Sequence, residues 1–187
     1  MNEKEVVLKK VKEAVKLLEK CKEFSLLMPE VRVNLVYALP KAKTRMHVAA
    51  VDGRITVVKG YPKACGDVMF GASDHMARLI IEVRKYNKSI RAGINFKYTP
   101  KIKEKVKRFC EENDLSFGGI DRRKEPEEII KKDRQSMPWK IEYLLDNYGK
   151  IPTVFYESEG WGKEPLFVII GEDPREVVDL VIKFLKN

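Results

Sequence analysis

Helical and strand patterns alternate along the whole 187-residue chain, and this alternation restricts the fold more than any other feature. The first 23 residues carry apolar side chains at helical spacing, at Val7, Val11, Ala14 and Leu18. Short apolar segments typical of strands follow at residues 31–37, 92–96, 115–120, 152–156 and 166–170. No linker, low-complexity tract or internal repeat separates them. The pattern predicts one α/β domain over residues 1–187, with an N-terminal helix within residues 1–24 packed on it.

Tight connections between strands predict that part of the sheet is antiparallel. Residues 48–58 indicate two short strands turned at Asp52-Gly53, which is a hairpin signal. A loop over residues 60–71 is expected next. Several strands are joined by too few residues for the crossover that parallel neighbours need. The sheet is therefore expected to be mixed, with helices covering it.

Capping residues mark the ends of four predicted helices. Ser73 is expected to cap a helix that runs to about residue 86, and Thr99-Pro100 to open the next one. Gly149 is the expected stop of a helix over residues 138–148. Residues 173–176 (DPRE) form a capping box before the last helix. The charged segment 121–137 predicts one helical stretch, at residues 126–133.

Composition excludes several classes of protein. No apolar run reaches the ~18 uncharged residues that a membrane span needs, and the charged N-terminus lacks a secretory signal pattern. Three cysteines without a CxxC pair, and only two histidines, argue against a disulfide framework or a multi-histidine metal site. We therefore expect a cytoplasmic protein. The single glutamine beside many Lys and Glu residues favours a heat-adapted source.

The net charge of +9 favours anionic partners without choosing among them. Residues 97–108 hold six basic side chains, but Lys101, Lys105 and Arg108 fall opposite the apolar helical face. A solvated helix face explains them, and we expect no nucleic-acid partner.

The segment 70–78 (FGASDHMAR) is the strongest candidate for chemistry. Small residues run into a helix start, where free backbone N–H groups and the helix dipole favour an anion. Gly71, Ala72, Ser73 and Asp74 would surround this anion, and His75 would exchange a proton with it. The alternative is a Ser-capped helix with an incidental surface histidine.

Three further stretches are candidate phosphate contacts. Arg54 follows the Asp52-Gly53 turn, and a guanidinium binds phosphate through two hydrogen bonds. Asp121, Arg122 and Arg123 come directly after a strand, where α/β sheets place ligands. Loop 157–165 carries Trp161 and Lys163 and is a candidate closing loop. Solvated charges and an ordinary hairpin connection are the alternatives.

Seven motifs in order resemble the ThiN-type thiamine-phosphate synthase domain, which is often the C-terminal part of archaeal bifunctional hydroxymethylpyrimidine kinases. They are residues 34–40 (NLVYALP), 53–55 (GRI), 70–78, 95–98 (NFKY), 121–126 (DRRKEP), 137–139 (MPW) and 162–165 (GKEP). The likeness covers about residues 5–185. It implies a three-layer α/β/α domain with a mixed, largely antiparallel sheet, similar to class II aldolases. It also adds Asn34 to the expected substrate site.

The resemblance implies a reaction between two phosphorylated substrates. Hydroxymethylpyrimidine diphosphate and hydroxyethylthiazole phosphate would yield thiamine phosphate and pyrophosphate, with Mg²⁺ as the expected partner of the diphosphate. Asp67, Asp74 and Asp121 are the candidate metal ligands. In catalytic members of the family an arginine and a histidine twenty-one positions apart are the functional pair, and Arg54 and His75 match them.

The family resemblance leaves alternatives open for this chain. ThiN domains fused to a DNA-binding helix-turn-helix are regulators that lack the Arg–His pair, so a non-catalytic sensor of thiamine phosphate is the main alternative. An aldolase-like metal enzyme is a second, disfavoured by the two scattered histidines. We expect the chain to be either free-standing or excised from a longer kinase fusion. A homo-oligomer would also be consistent with the resemblance.

Overall fold

The computed structural model describes residues 2–130, 135–160 and 162–187. Over these ranges the chain forms six α-helices and nine strands, in the order α1 (Glu3–Glu19), β1 (Leu35–Ala38), β2 (Val48–Val51), β3 (Ile55–Val58), β4 (Tyr61–Ala64), β5 (Val68–Phe70), α2 (His75–Tyr86), β6 (Ala92–Lys97), α3 (Pro100–Glu112), β7 (Phe117–Ile120), α4 (Glu127–Ile130), α5 (Ser136–Tyr148), β8 (Val154–Glu157), β9 (Leu166–Gly171) and α6 (Pro174–Lys186). Short 3₁₀ segments lie at Lys22–Leu27, Arg45–His47 and Arg122–Lys124.

Seven strands form one sheet in the order β5-β2-β1-β6-β9-β8-β7, and β3 pairs with β4 apart from it. Each neighbouring pair in the large sheet is antiparallel except β7 and β8, which run parallel. The carboxyl ends of β7 and β8 therefore lie at the same edge, with Ile120 opposite Glu157. This edge carries the polar side chains described below.

Helices cover both faces of the sheet. Leu35 and Tyr37 of β1 pack in one apolar cluster with residues of α1, α3 and α6, such as Val11. Val36 and Ala38 pack in the other cluster with α2 and α5. Alternate side chains of a strand point to opposite faces, so one strand serves both cores. The architecture is the expected three-layer α/β/α domain with a mixed, mostly antiparallel sheet.

The predicted hairpin at Asp52-Gly53 is wrong. β2 pairs with β1 and β5, and β3 pairs with β4 in the small sheet. Gly53 and Arg54 both have left-handed backbone angles, with φ of 69° and 71°, which turn the chain out of the large sheet after β2. The predicted loop over residues 60–71 is also wrong, since it contains β4 and β5.

Three of the four predicted helix caps are present, and the end of the N-terminal helix also differs from the prediction. Thr99 Oγ1 accepts from the Ile102 amide at 3.1 Å, Gly149 is left-handed, and the 173–176 capping box is present. The N-terminal helix ends at Glu19 rather than 23, and a 3₁₀ segment follows. Ser73 does not cap α2, because the residue before the first helical position is Asp74.

Two further predictions concern the charged segment and the membrane. The helical stretch predicted at residues 126–133 begins as α4, while residues 131–133 lie outside the described residues, as does Trp161. Within the described ranges, each helix is too short or too polar to cross a bilayer.

Candidate functional site

A cavity of about 320 Å³ opens where the β7–β8 edge of the sheet meets the start of α2. Eight of the predicted site residues line it: Asn34, Arg54, Ala72, Ser73, Asp74, His75, Arg122 and Lys163. Arg32, Asn95, Glu157 and Glu164 also line it; Asn95 and Glu164 belong to motifs that carry the resemblance, but none of the four was a predicted site residue. Gly71, Asp121 and Arg123 are not among the residues that line it.

Arg54 reaches the cavity from the left-handed turn after β2. Its backbone N–H donates to the Val51 carbonyl at 3.2 Å, which closes the turn. Its Nη1 donates to the carbonyl oxygen of Val31. The residue is exposed, and among the described residues its guanidinium makes one hydrogen bond, which leaves the other donors available to an anion.

His75 is the first residue of α2 and lies across the cavity. Its side chain is 42% exposed, yet its Nε2 atom is buried. That nitrogen faces Glu157 Oε1 at 3.6 Å. Ala72, Ser73 and Asp74 lead into this helix start, where the first-turn N–H groups point toward an incoming anion. His75 and the helix start that is predicted to bind an anion therefore line the same cavity.

Two predicted members of the 71–74 segment have other structural roles. Gly71 has φ of 79°, a left-handed backbone that favours glycine, whereas the only close neighbour of an added Cβ would be the exposed, flexible end of the Met46 side chain. The Asp74 carboxylate accepts from Arg78 Nη2 at 2.8 Å and lies 4.0 Å from Arg45 Nη1. Asp74 is therefore already neutralised by two arginines.

Asn34 lines the cavity, but its amide is engaged within the fold. Its Oδ1 accepts from the Val51 N–H at 3.2 Å, and its Nδ2 donates to the Val51 carbonyl at 3.5 Å. Asn95 Oδ1 accepts from the Asn34 N–H at 2.8 Å, and Asn95 Nδ2 donates to the Arg32 carbonyl at 3.0 Å. The two amides fix the backbone behind the cavity wall.

Arg122 and Arg123, adjacent in sequence, are separated by the structure. Arg122 is buried between carboxylates, with Nη2 at 3.6 Å from Glu125 and Nη1 at 3.9 Å from Glu157. Arg123 is exposed and pairs with Asp121 through Nε and Nη2, both at 2.8 Å. Hydrogen bonds from Arg123 lower the pKa of Asp121 to about 2.

The loop after β8 brings Lys163 to the cavity. Gly160 and Lys163 exchange backbone hydrogen bonds at 2.9 and 3.2 Å, which closes a tight turn. Glu164 anchors this turn, because its two carboxylate oxygens accept from the N–H groups of Glu30 and Val31, each at 3.0 Å. The exposed Lys163 ammonium is thereby held at the cavity rim.

A buried ion pair lies beneath the cavity. Lys140 Nζ donates to Glu157 Oε2, and both side chains are almost fully buried. Burial raises the pKa of Glu157, but the charge of Lys140 and the contact with His75 outweigh it, so the net shift is downward. Burial and the nearby Arg122 charge lower the pKa of Lys140, which Glu157 partly offsets.

Sequence reasoning missed Lys140 and Glu157, although one signal was present. Met137, Lys140, Ile141 and Leu144 recur at the i, i+3, i+4, i+7 spacing of a buried helix face, and all four are buried. A lysine at such a position requires a buried counter-charge. Glu157 offered no comparable signal, because it is one carboxylate at a strand end.

The donors at the cavity do not fit a magnesium site formed by the protein. Within the described ranges, no three acidic, histidine or cysteine side chains group together as metal ligands. Of the candidate ligands, Asp74 and Asp121 are each paired with arginine, and Asp67 does not line the cavity. Four Arg or Lys residues line the cavity beside three carboxylates, and each of these carboxylates already accepts hydrogen bonds from the protein.

Comparison with known proteins decides the family. The model of the family described as thiamine-phosphate synthase ThiN matches residues 10–183. The chain belongs to the ThiN family. It is 37% identical over 177 residues to the thiamine-phosphate synthase ThiN of Methanothermobacter thermautotrophicus, covering 95% of this chain and 91% of that protein.

Relatives of the ThiN chain also occur within larger proteins. The bifunctional thiamine biosynthesis protein ThiDN of Methanocaldococcus jannaschii is 35% identical over 179 residues, which are 95% of this chain and 40% of that protein. The crystal structure of the C-terminal domain of a phosphomethylpyrimidine kinase has a TM-score of 0.92 and 34% identity, covering 97% and 99% of the two chains.

A further solved structure is similar in fold but not closely similar in sequence. A putative aldolase/epimerase/decarboxylase of Klebsiella pneumoniae has a TM-score of 0.52 at 13% identity, covering 100% of this chain and 89% of the other. This agrees with the class II aldolase-like architecture expected from the sequence.

Proposed function

We propose that this chain is a thiamine-phosphate synthase that joins hydroxymethylpyrimidine diphosphate to hydroxyethylthiazole phosphate and releases pyrophosphate. The observation that carries the proposal is the placement of Arg54 and His75 on one cavity, although a separate small sheet lies between them in sequence. Family membership and the name of the 37% identical relative support the same reaction.

The diphosphate is expected at the start of α2. The first-turn N–H groups, the helix dipole and the free donors of Arg54 all favour negative charge there. Charge builds on this group as it leaves, so donors fixed in advance stabilise the transition state more than the ground state.

Bond breaking and bond making both occur at the pyrimidine methylene carbon. The C–O bond to the diphosphate breaks, and its electron pair leaves with the diphosphate oxygen. The lone pair of the thiazole nitrogen forms the new C–N bond, which leaves a positively charged thiazolium and no proton to remove. His75 hydrogen-bonds the departing diphosphate, or protonates it. Holding the two substrates in line supplies much of the rate.

The second phosphate has two candidate contacts on the opposite wall. Lys163 extends from the anchored turn, and Arg122 lines the cavity with its buried Nε free of a hydrogen-bond partner within the described residues. Both are candidates for the thiazole phosphate. Magnesium stays a prediction, as an ion that arrives with the diphosphate rather than one held by a carboxylate cluster of the protein.

The test is a coupling assay with purified protein, both phosphorylated substrates and Mg²⁺, following thiamine phosphate. Arg54→Ala and His75→Ala are each expected to lower kcat at least tenfold with the fold kept. His47→Asn is the matched control, because His47 is outside the cavity and its Nδ1 accepts from the Lys43 N–H at 3.2 Å. Binding of thiamine phosphate by wild type without turnover would contradict the proposal and indicate a sensor domain.

A kinase is the expected supplier of the pyrimidine diphosphate. The relatives that extend beyond this domain include the phosphomethylpyrimidine kinase whose C-terminal domain superimposes on it. We infer that a separate or fused kinase delivers the substrate. Addition of such a kinase with ATP and the pyrimidine monophosphate should replace the diphosphate in the assay.

A further inference from the structure

Two buried polar atoms face each other on the cavity floor. His75 Nε2 and Glu157 Oε1 lie 3.6 Å apart, and each is buried without a hydrogen-bond partner among the described residues. An unpaired buried polar atom is costly. A nitrogen that can donate and a carboxylate oxygen that can accept are therefore left with each other as partners.

The Lys140 ion pair does not account for this second oxygen. Lys140 Nζ and Arg122 Nη1 both approach Oε2 of Glu157, the latter at 3.9 Å. Oε2 is sufficient to pair with the Lys140 ammonium, and the other oxygen, Oε1, faces His75 instead. Glu157 is the last residue of β8 and His75 the first of α2, so the end of this strand meets the start of this helix.

We propose that Glu157 is the positioning residue of His75, holding the imidazole with its proton on Nε2 so that Nδ1 meets the ligand. The inference rests on the proposed function for its catalytic consequence, but the orientation and tautomer can be tested without it. A carboxylate that fixes the orientation and tautomer of a working imidazole is a recurring arrangement in enzymes.

The burial of the ring supports this assignment. Nε2 is inaccessible while 42% of the side chain is exposed, so Nδ1 is the nitrogen left to contact a bound group. A proton added at Nδ1 then donates to a diphosphate oxygen, and the nearby carboxylate compensates the positive charge. The separation of 3.6 Å is longer than a hydrogen bond, and such contacts often shorten when the substrate binds.

The first experiment observes the two imidazoles directly by long-range ¹H–¹⁵N NMR of the ¹⁵N-labelled protein. The chain has only two histidines, and His47→Asn assigns the spectrum. His47 is an internal reference, because its Nδ1 accepts from a backbone N–H and its proton must lie on Nε2 when it is neutral. Neutral His75 is expected to show the Nε2–H pattern in wild type. An Nδ1–H pattern would overturn the proposal.

The second experiment replaces the carboxylate. Glu157→Gln is expected to abolish the uniform Nε2–H pattern of His75 and to lower kcat at least tenfold, with KM within threefold. Because this variant leaves Lys140 buried without its counter-charge, the double variant K140M/E157Q is made as well. If the folded double variant keeps both the His75 tautomer and the kcat of wild type, the proposal is overturned.

Glu82→Gln is the matched control for loss of a buried carboxylate. Glu82 lies on α2, the helix of His75, and its carboxylate pairs with Lys85 at 2.8 Å away from the cavity. It is expected to leave the tautomer and kcat unchanged. If wild type shows no turnover, the proposed function fails while the NMR result still decides the role of Glu157, so the two failures are distinguishable.

Discussion

The guanidinium of Arg54 donates a hydrogen bond to the backbone carbonyl oxygen of Val31. The N–H of the same Val31 donates to Glu164 at 3.0 Å. One short turn, at residues 30–31, therefore connects Arg54 with the loop that carries Lys163. The position of each cationic side chain depends on the same stretch of backbone.

Because Arg54 has a left-handed backbone, a glycine substitution can remove its side chain with little change in stability. At φ of 71°, a non-glycine residue bears a cost on the order of 1 kcal/mol that glycine avoids. Arg54→Gly should therefore keep the free energy of unfolding within about 1 kcal/mol of wild type, while kcat falls at least tenfold. Denaturant unfolding and the coupling assay measure the two quantities.

Lys59→Gly is the control for this substitution. Lys59 is also left-handed, with φ of 50°, and is exposed in the β3–β4 turn away from the cavity. It should give a similar change in stability with kcat unchanged. Equal losses of activity in the two glycine variants would contradict a specific role for the Arg54 side chain.

The Glu164 carboxylate should control substrate affinity rather than the chemical step. Glu164→Ala removes two hydrogen bonds to backbone N–H groups and releases the turn that presents Lys163. A charged hydrogen bond contributes about 1.5–3 kcal/mol, so KM for a phosphorylated substrate should rise about tenfold with kcat little changed. Glu159→Ala removes an exposed carboxylate from the same loop and should leave KM unaltered.

Local signals predicted much of this fold, because their causes are local. The Thr99 cap, the left-handed Gly149 and the 173–176 capping box depend on neighbours within one helical turn, and all three are present. The Asp52-Gly53 turn was also recognised as a turn. What failed there was the strand pairing, since β2 finds β1 and β5 as partners from distant parts of the chain.

The site was predictable only in part for the same reason. Small residues before a helix and an arginine after a turn indicated residues 72–74 and Arg54, and the resemblance favoured Arg54 as functional over a solvated arginine. Glu157 approaches His75 from the end of β8, 82 positions further along the chain, and no local pattern encodes this approach. Arg122 and Arg123 are adjacent, identical residues, so the sequence does not distinguish their roles. The 3₁₀ turn that contains them directs Arg122 inward and leaves Arg123 exposed.

The buried Lys140–Glu157 pair should behave as one unit in unfolding experiments. Lys140→Met leaves the Glu157 carboxylate buried without its main counter-charge and should cost about 3 kcal/mol. Adding Glu157→Gln removes the second charge and should recover most of that loss. A double-mutant cycle in urea measures the coupling, and additive single effects would contradict it.

Acidification should destabilise the folded protein through the same ion pair. The pKa of Glu157 is lowered in the folded protein, so the stability it contributes is present above its unfolded pKa of about 4.3 and is lost as the pH falls further. Below about pH 4, wild type should lose stability relative to K140M/E157Q. Parallel stability curves for the two proteins down to pH 2 would contradict this assignment.

The three cysteines should differ in reactivity according to burial. Burial raises the pKa of the Cys110 thiol to about 12, and it also raises the pKa of Cys21. Cys65 is exposed. A thiol reagent at pH 8 should modify one cysteine quickly in the folded protein and all three in denaturant, because the thiolate is the reactive form. Cys65→Ser should remove the fast phase, and its persistence would contradict the burial order.

Arg122 and Arg123 give the sharpest comparison between sequence and structure, because they are adjacent. Arg123→Ala removes an exposed guanidinium that pairs only with Asp121 among the described residues, so kcat/KM should stay within threefold. Arg122→Lys keeps a cation between Glu125 and Glu157 but loses the planar donor set, and KM for the thiazole phosphate should rise about tenfold. Circular dichroism of both variants checks that the fold is retained. Equal effects in the two variants would show that the buried position of Arg122 does not select it for phosphate.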